Sequence, residues 1–157
     1  MTAVHVRRYV DFFERLQPAS LESLGDHFSE AARFTDPFND VRGHAAIRAV
    51  FAHMFATCER PQFAVDEAVD NGRTAYLRWR FSFGQDDARR HIEGVSRVLF
   101  DTDGRALEHI DYWDPARQLY EHIPVLGSLF RVLRRRLGTP PRTRGQATAD
   151  IQARTSR

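Results

Sequence analysis

The chain has 157 residues, enough for one domain with a real core and too few for two comfortable ones. Its formal charge is +2 at pH 7, and all 23 basic residues are arginine. Without lysine, Schiff-base and lysine general-base chemistry are excluded.

Residues 1–137 carry 19 Arg against 20 Asp plus Glu, whereas 138–157 carry four Arg against one Asp. The body therefore shows no basic stripe interleaved with aromatics, and nucleic acid is not an expected partner. The single cysteine, Cys58, cannot close an internal disulfide or build a Cys-rich zinc site, which fits a reducing compartment. The N-terminal segment MTAVHVRRYVDFFERL lacks an uninterrupted apolar core, and no stretch reaches transmembrane length. A cytoplasmic protein is expected. There is no internal repeat and no nucleotide-binding glycine loop.

Residues 3 to about 16 place Val6, Tyr9, Val10, Phe13 and Leu16 at helical spacing with charged residues elsewhere, an amphipathic helix. Ser20 and Ser23 can cap a second helix running to about Ala32, with Leu21, Leu24 and Phe28 as its stripe. The stretch FTDPFNDVRG, Phe34 to Gly43, sets Asp36 between aromatics and before a proline, which forces it out of the helical region. Two readings stand side by side. Apolar flanks desolvate a carboxylate and suit it to proton transfer, and Asp-Pro also starts turns in which the Asp oxygen caps backbone amides.

Residues 44–58 read as a helix with Ile47, Val50, Phe51, Met54 and Phe55 on one side. After Pro61 the periodicity becomes alternating. Residues 62–70 fit a strand, Asn71-Gly72 a hairpin turn, and 74–84 a second strand with Leu77, Trp79, Phe81 and Phe83 on one face and Tyr76, Arg78, Arg80 and Ser82 on the other. Residues 91–101 alternate again, with Ile92, Gly94, Ser96, Val98 and Phe100 on one face, before the turn DTDG at 101–104. In the last strand, Ala106 to about Asp114, Leu107, His109, Asp111 and Trp113 oppose Glu108, Ile110 and Tyr112, so periodicity alone leaves the buried face open.

Residues 115–137 open on a proline suited to a helix start, and Pro124 and Gly127 divide them into two short helices. The basic amphipathic stretch 128–137 could meet an anionic membrane or an acidic partner. The favoured reading packs its leucines on the protein or on a dimer mate. Residues 138–157 have almost no large apolar side chains and are expected to be a disordered basic tail.

The order helix, helix, short strand with Asp-Pro, helix, then antiparallel strands joined by tight turns resembles the nuclear transport factor 2-like superfamily, which includes ketosteroid isomerases and SnoaL-like polyketide cyclases. The resemblance covers roughly residues 5–115 and rests on RRYVDFF, on FTDPF with RGHAAI following, and on VSRVLFDTDGRALEHIDYWD. It implies an α+β fold, a cone-shaped barrel whose curved antiparallel sheet wraps the N-terminal helices around an internal pocket. One such domain would span 1–137, and a homodimer is expected.

Carried over by residue, the resemblance puts Asp36 at the isomerase general base, Tyr9 at the oxyanion donor and Ser96 where the isomerases carry a protonated aspartic acid. It turns Leu77, Trp79, Phe81 and Phe83 inward and places His109, Asp111 and Trp113 in the pocket. SnoaL-like cyclases use a pocket Asp on a late strand, which makes Asp111 a second candidate acid/base and His109 a proton carrier or orienter. Phe51, Phe55, Trp79, Phe81, Phe83 and Trp113 are the expected substrate walls. The implied activity is acid/base chemistry on a small apolar carbonyl compound, with no cofactor and no metal, since His109 and Asp111 alone do not make a metal site. The other reading is a non-catalytic binding or interaction module of the same fold. Epoxide hydrolysis, a third, needs Arg78, Arg80 or Arg97 to turn inward.

Overall fold

The computed structural model describes residues 2–120 and 131–132. Met1–Pro115 forms one compact unit, and Ala116–Arg157 forms another. The expected helices of 115–137 lie outside the described residues, apart from the helical turn α3 (Pro115–Gln118) and helical Arg131 and Val132. The expected tail at 138–157 lies outside them entirely.

Helix α1 (Val4–Glu14) buries Val6, Tyr9, Phe12 and Phe13, the stripe that its spacing dictates with Phe12 added. The second helix is shorter than its pattern suggests. A 3-10 helix over Pro18–Asp26 buries Leu21 and Leu24, and its N-terminus is closed by a reciprocal cap between Gln17 and Ser20. Phe28 does not continue that helix but begins strand β1 (Phe28–Thr35), which a tight turn joins to β2 (Asp40–Arg42). Helix α2 (His44–Thr57) follows Gly43, whose φ of 82° is available to glycine at little cost. Then come β3 (Gln62–Asp70), β4 (Thr74–Phe83), β5 (Arg90–Phe100) and β6 (Ala106–Tyr112).

The six strands form one sheet in the order β2-β1-β6-β5-β4-β3. All neighbours are antiparallel except β1 and β6, which run parallel. Inward residues line up in rows across the sheet. Ala75, Val98, His109 and Phe34 share one row, Leu77, Ser96 and Asp111 the next, and Trp79 with Gly94 the third. The first row meets α1 and α2 in the main core, where Tyr9, Phe28 and Ile47 are at most 1% exposed. A second cluster, Trp79, Phe81 and Ile92 with Phe83 and Trp113 against it, fills the far end.

The face of β6 that periodicity left open is resolved by its neighbours. His109 is buried at 3% exposure and Tyr112 is exposed, while a bulge between Leu99 and Phe100 sends Leu107 outward instead of onto the His109 face. Arginines face away from the interior and pair there: Arg33 with Asp40 and Glu108, Arg78 with Glu93, Arg80 with Asp66, Arg97 with Glu108. The bidentate Arg33 fork holds the Asp40 carboxyl below its ordinary range. Epoxide hydrolysis as envisaged above is therefore corrected, because none of its three arginines turns inward.

Candidate functional site

Five predicted side chains meet in one hydrogen-bonded chain. Tyr9 on α1 brings its hydroxyl to 2.8 Å from His109 Nδ1, and His109 Nε2 lies 2.8 Å from Asp111 Oδ1. Ser96 donates to the same oxygen at 2.5 Å and accepts the indole N–H of Trp79 at 2.8 Å. Cross-strand geometry explains the convergence. Ser96 is paired with Asp111 and Val98 with His109, so three polar groups fall on adjacent inward positions of β5 and β6.

Each group has a distinct setting. The imidazole of His109 stacks on Phe34 at a ring separation of 4.9 Å and is flanked by Phe13 and Phe28. Tyr9 is 1% exposed. Burial and then the negative charge of Asp111 push its phenol well above the ordinary value, so Tyr9 stays protonated. Asp111 keeps 15% side-chain exposure. Its Oδ1 takes two bonds, and its Oδ2 has no partner among the described residues.

The resemblance makes Tyr9 and Ser96 direct oxyanion donors. In the structure both hydroxyls are turned to neighbouring side chains, Tyr9 to His109 and Ser96 to Asp111.

Asp36 stands at the head of the turn between β1 and β2, with its N–H bonded to Asn39 O at 2.9 Å. Its Oδ1 accepts the backbone N–H groups of Phe38 and Asn39, each at 2.7 Å, and the Asn39 side-chain amide reaches both carboxylate oxygens at 3.0 Å. That is the turn-capping arrangement an Asp-Pro start favours. In the parallel pairing Phe34 lies beside His109 and Thr35 beside Ile110, and the pairing ends there, one residue before Asp36.

Among the expected walls, Trp79 and Phe81 are buried in the far-end cluster, with Phe83 and Trp113 packed on it. Phe51 instead belongs to the main core against Phe13 and Phe34, and Phe55 packs on that core from the side. Sequence reasoning missed two contributors. Asn39 engages the Asp36 carboxylate, and Gly94 makes room for the Trp79 indole, since a Cβ there would come within 2.4 Å of its ring. Asn three residues after the Asp of Asp-Pro was a readable signal, whereas the Gly94 contact depends on strand register. Among the described residues no third His, Cys, Asp or Glu joins His109 and Asp111 in a group that could hold a metal. No described helix is long and apolar enough to cross a membrane.

Solved structures share this architecture. A nuclear transport factor 2-like protein of unknown function from Burkholderia pseudomallei is 20% identical, with a TM-score of 0.61 over 72% of this chain and 90% of that one. A protein with a ketosteroid isomerase-like fold from Catenulispora acidiphila, solved with trimethylamine, is 14% identical, with a TM-score of 0.63 over 76% and 92%. An epoxide hydrolase from M. tuberculosis is 11% identical, with a TM-score of 0.60 over 82% and 89%. At these identities the likeness shows the fold alone. No curated protein matches the chain. The SnoaL-like domain profile matches residues 6–109, from the first buried side chain of α1 to the histidine at the centre of the network. That span contains nearly all of the core described above, and the chain belongs to the SnoaL-like domain family.

Proposed function

We propose that the chain is a cofactor-independent acid/base enzyme that moves a proton next to the carbonyl of a small apolar compound, with isomerisation or aldol-type cyclisation as the outcome. The observation that carries this reading is the asymmetry of Asp111: Oδ1 is held by Ser96 and His109, and Oδ2 is without a partner among the described residues. In this reading Oδ2 takes the proton from the carbon beside the carbonyl, and the electron pair of that C–H bond passes to the carbonyl oxygen. Returning the proton to another carbon completes an isomerisation, while attack of the enolate carbon on a second carbonyl, whose oxygen then takes the proton back from Asp111, completes an aldol-type cyclisation. Trp79, Phe81, Phe83 and Trp113 supply an apolar wall that limits water.

Of the two candidate carboxylates, the geometry favours Asp111, because both oxygens of Asp36 are engaged by its own turn. A direct test follows deuterium wash-in beside the carbonyl of a probe ketone, 2-tetralone, by proton NMR in heavy water. Exchange by the wild type that falls about 100-fold in Asp111→Asn supports the proposal, in line with the usual worth of a general base. Equal exchange by both proteins sinks it.

A non-catalytic binding module is the second reading, and one observation favours it. The interior around His109 is packed with the rings of Tyr9, Phe13, Phe28 and Phe34, with Phe51 against the last of these. Saturable binding of 2-tetralone, followed by tryptophan fluorescence, without any wash-in would point there. Homodimerisation is part of the proposal too. Exposed Val69, Tyr76, Val95 and Tyr112 adjoin one another on the outer sheet face, and sedimentation velocity at twice the chain mass would support it.

A further inference from the structure

We infer that Trp79 is a positioning residue: acting through Ser96, it helps hold one oxygen of Asp111 and leave the other to a substrate. The inference rests on the reading of Asp111 as the acid/base, but its test does not require turnover.

The direction of every proton in the chain follows from its two ends. An indole N–H can only donate, so at 2.8 Å Ser96 Oγ must accept from Trp79. Ser96 is 2% exposed, and the acceptor its own proton has within reach is Asp111 Oδ1 at 2.5 Å. At the other end the carboxylate can only accept, so His109 Nε2, 2.8 Å from the same Oδ1, carries the imidazole proton, which leaves Nδ1 to accept from the buried Tyr9 hydroxyl. Two donor chains, one from β4 and one from α1, thus converge on a single carboxylate oxygen. Each bond polarises the next, so a donor two bonds away still strengthens the hold on Oδ1.

A specific seat puts the indole in place. Register sets Trp79 opposite Gly94, and a Cβ at 94 would lie 2.4 Å and 2.7 Å from its ring carbons Cζ2 and Cη2. With that space open, the ring lies over the glycine and its N–H reaches the diagonal neighbour Ser96. Phenylalanine fills the positions two and four residues further along this face, but a phenyl ring has no donor. The tryptophan therefore does something at position 79 that an apolar wall does not require.

The test is a double-mutant cycle read by NMR on the full chain, with the His109 Nε2–H proton as probe. Trp79→Phe removes the donor and keeps an aromatic wall, and Ser96→Ala removes the intermediary. Losing a donor to Oδ1 concentrates the carboxylate on His109, so the Nε2–H resonance should move downfield in each single variant. If Trp79 acts through Ser96, the double variant resonates where Ser96→Ala does. Shifts that simply add, or no shift in Trp79→Phe, overturn the inference. Ser96→Ala also gives a measurement that stands if Trp79→Phe does not fold: solvent exchange of the Trp79 indole N–H should accelerate tenfold or more, and unchanged protection overturns the inference as well. Deuterium wash-in on the same variants separates the two proposals. Coupling without wash-in upholds the hold on Asp111 and defeats the enzymatic reading, while wash-in without coupling does the reverse.

Discussion

At the scale of residues, the two aspartates test whether a hydrogen-bond inventory can sort a structural carboxylate from a reactive one. Asp36→Asn should cost about 1 kcal/mol of stability, because it weakens the capping of two backbone amides, and should leave wash-in nearly intact. Urea unfolding and the 2-tetralone assay measure the two effects. The opposite pattern, with wash-in lost in Asp36→Asn and kept in Asp111→Asn, would reverse their roles. Part of this was legible in the sequence. The strand period alone puts His109 and Asp111 on one face, and Asp-Pro already announces a turn. The partnership with Tyr9, 100 positions earlier in the chain, was not legible from pattern, because helix periodicity shows which face is buried and not which side chain lies across from it. The resemblance supplied Tyr9 as a neighbour of the site, and the structure supplied its partner.

At the scale of elements, the alternating strands were the most readable, since one face of each is buried and the period of two shows directly. Strand β1 was not. Its burial runs Phe28, Ser29, then Ala32 and Phe34, because the register with β6 shifts between Phe28 and Arg33, and a broken alternation resembles the spacing of a helix. The strand is tied to the β5–β6 turn by Ser29, whose hydroxyl reaches Asp101 at 2.6 Å. Burial works to raise the Asp101 carboxyl, but that bond, the amides of Arg105 and Asp103 and the Arg105 charge outweigh it, so the folded value lies below the ordinary one. A depressed acid stabilises the fold above its unfolded value of about 4 and loses that contribution as pH falls through the folded one. Ser29→Ala should therefore cost about 1–2 kcal/mol at pH 7, and the gap from wild type should narrow below about pH 4. Urea unfolding at both pH values measures it, and a gap that does not change with pH would mean that packing, not the carboxylate, is responsible. Gly94→Ala is a second prediction at this scale. The indole must leave its seat, so a loss of about 1–3 kcal/mol is expected together with loss of the protected Trp79 N–H signal.

At the scale of the whole molecule, the question is whether the far-end aromatic cluster unfolds with the main core or ahead of it. The two clusters have separate buried centres, Trp79, Phe81 and Ile92 in one and Tyr9, Phe28 and Phe100 among those of the other. They are not independent, because Met54, Phe63 and Val65 pack against both. Strands β4 and β5 also run through both, with Ala75 and Val98 at one end and Trp79 and Ile92 at the other. Cooperative unfolding follows if shared side chains and continuous strands couple the clusters more strongly than solvent loosens the partly exposed one. The chain reports on this without a label, since its only two tryptophans, Trp79 and Trp113, both lie at the far-end cluster. Fluorescence should therefore follow that cluster while far-ultraviolet circular dichroism follows the sheet and helices. The two urea transitions of the wild type should coincide in midpoint and slope. Phe63→Ala, which removes a side chain common to both clusters, should destabilise the protein by about 3–5 kcal/mol and begin to separate the transitions, with fluorescence changing first. Separate transitions already present in the wild type would instead make the far end a local unit that can open while the Tyr9–His109 core stays closed.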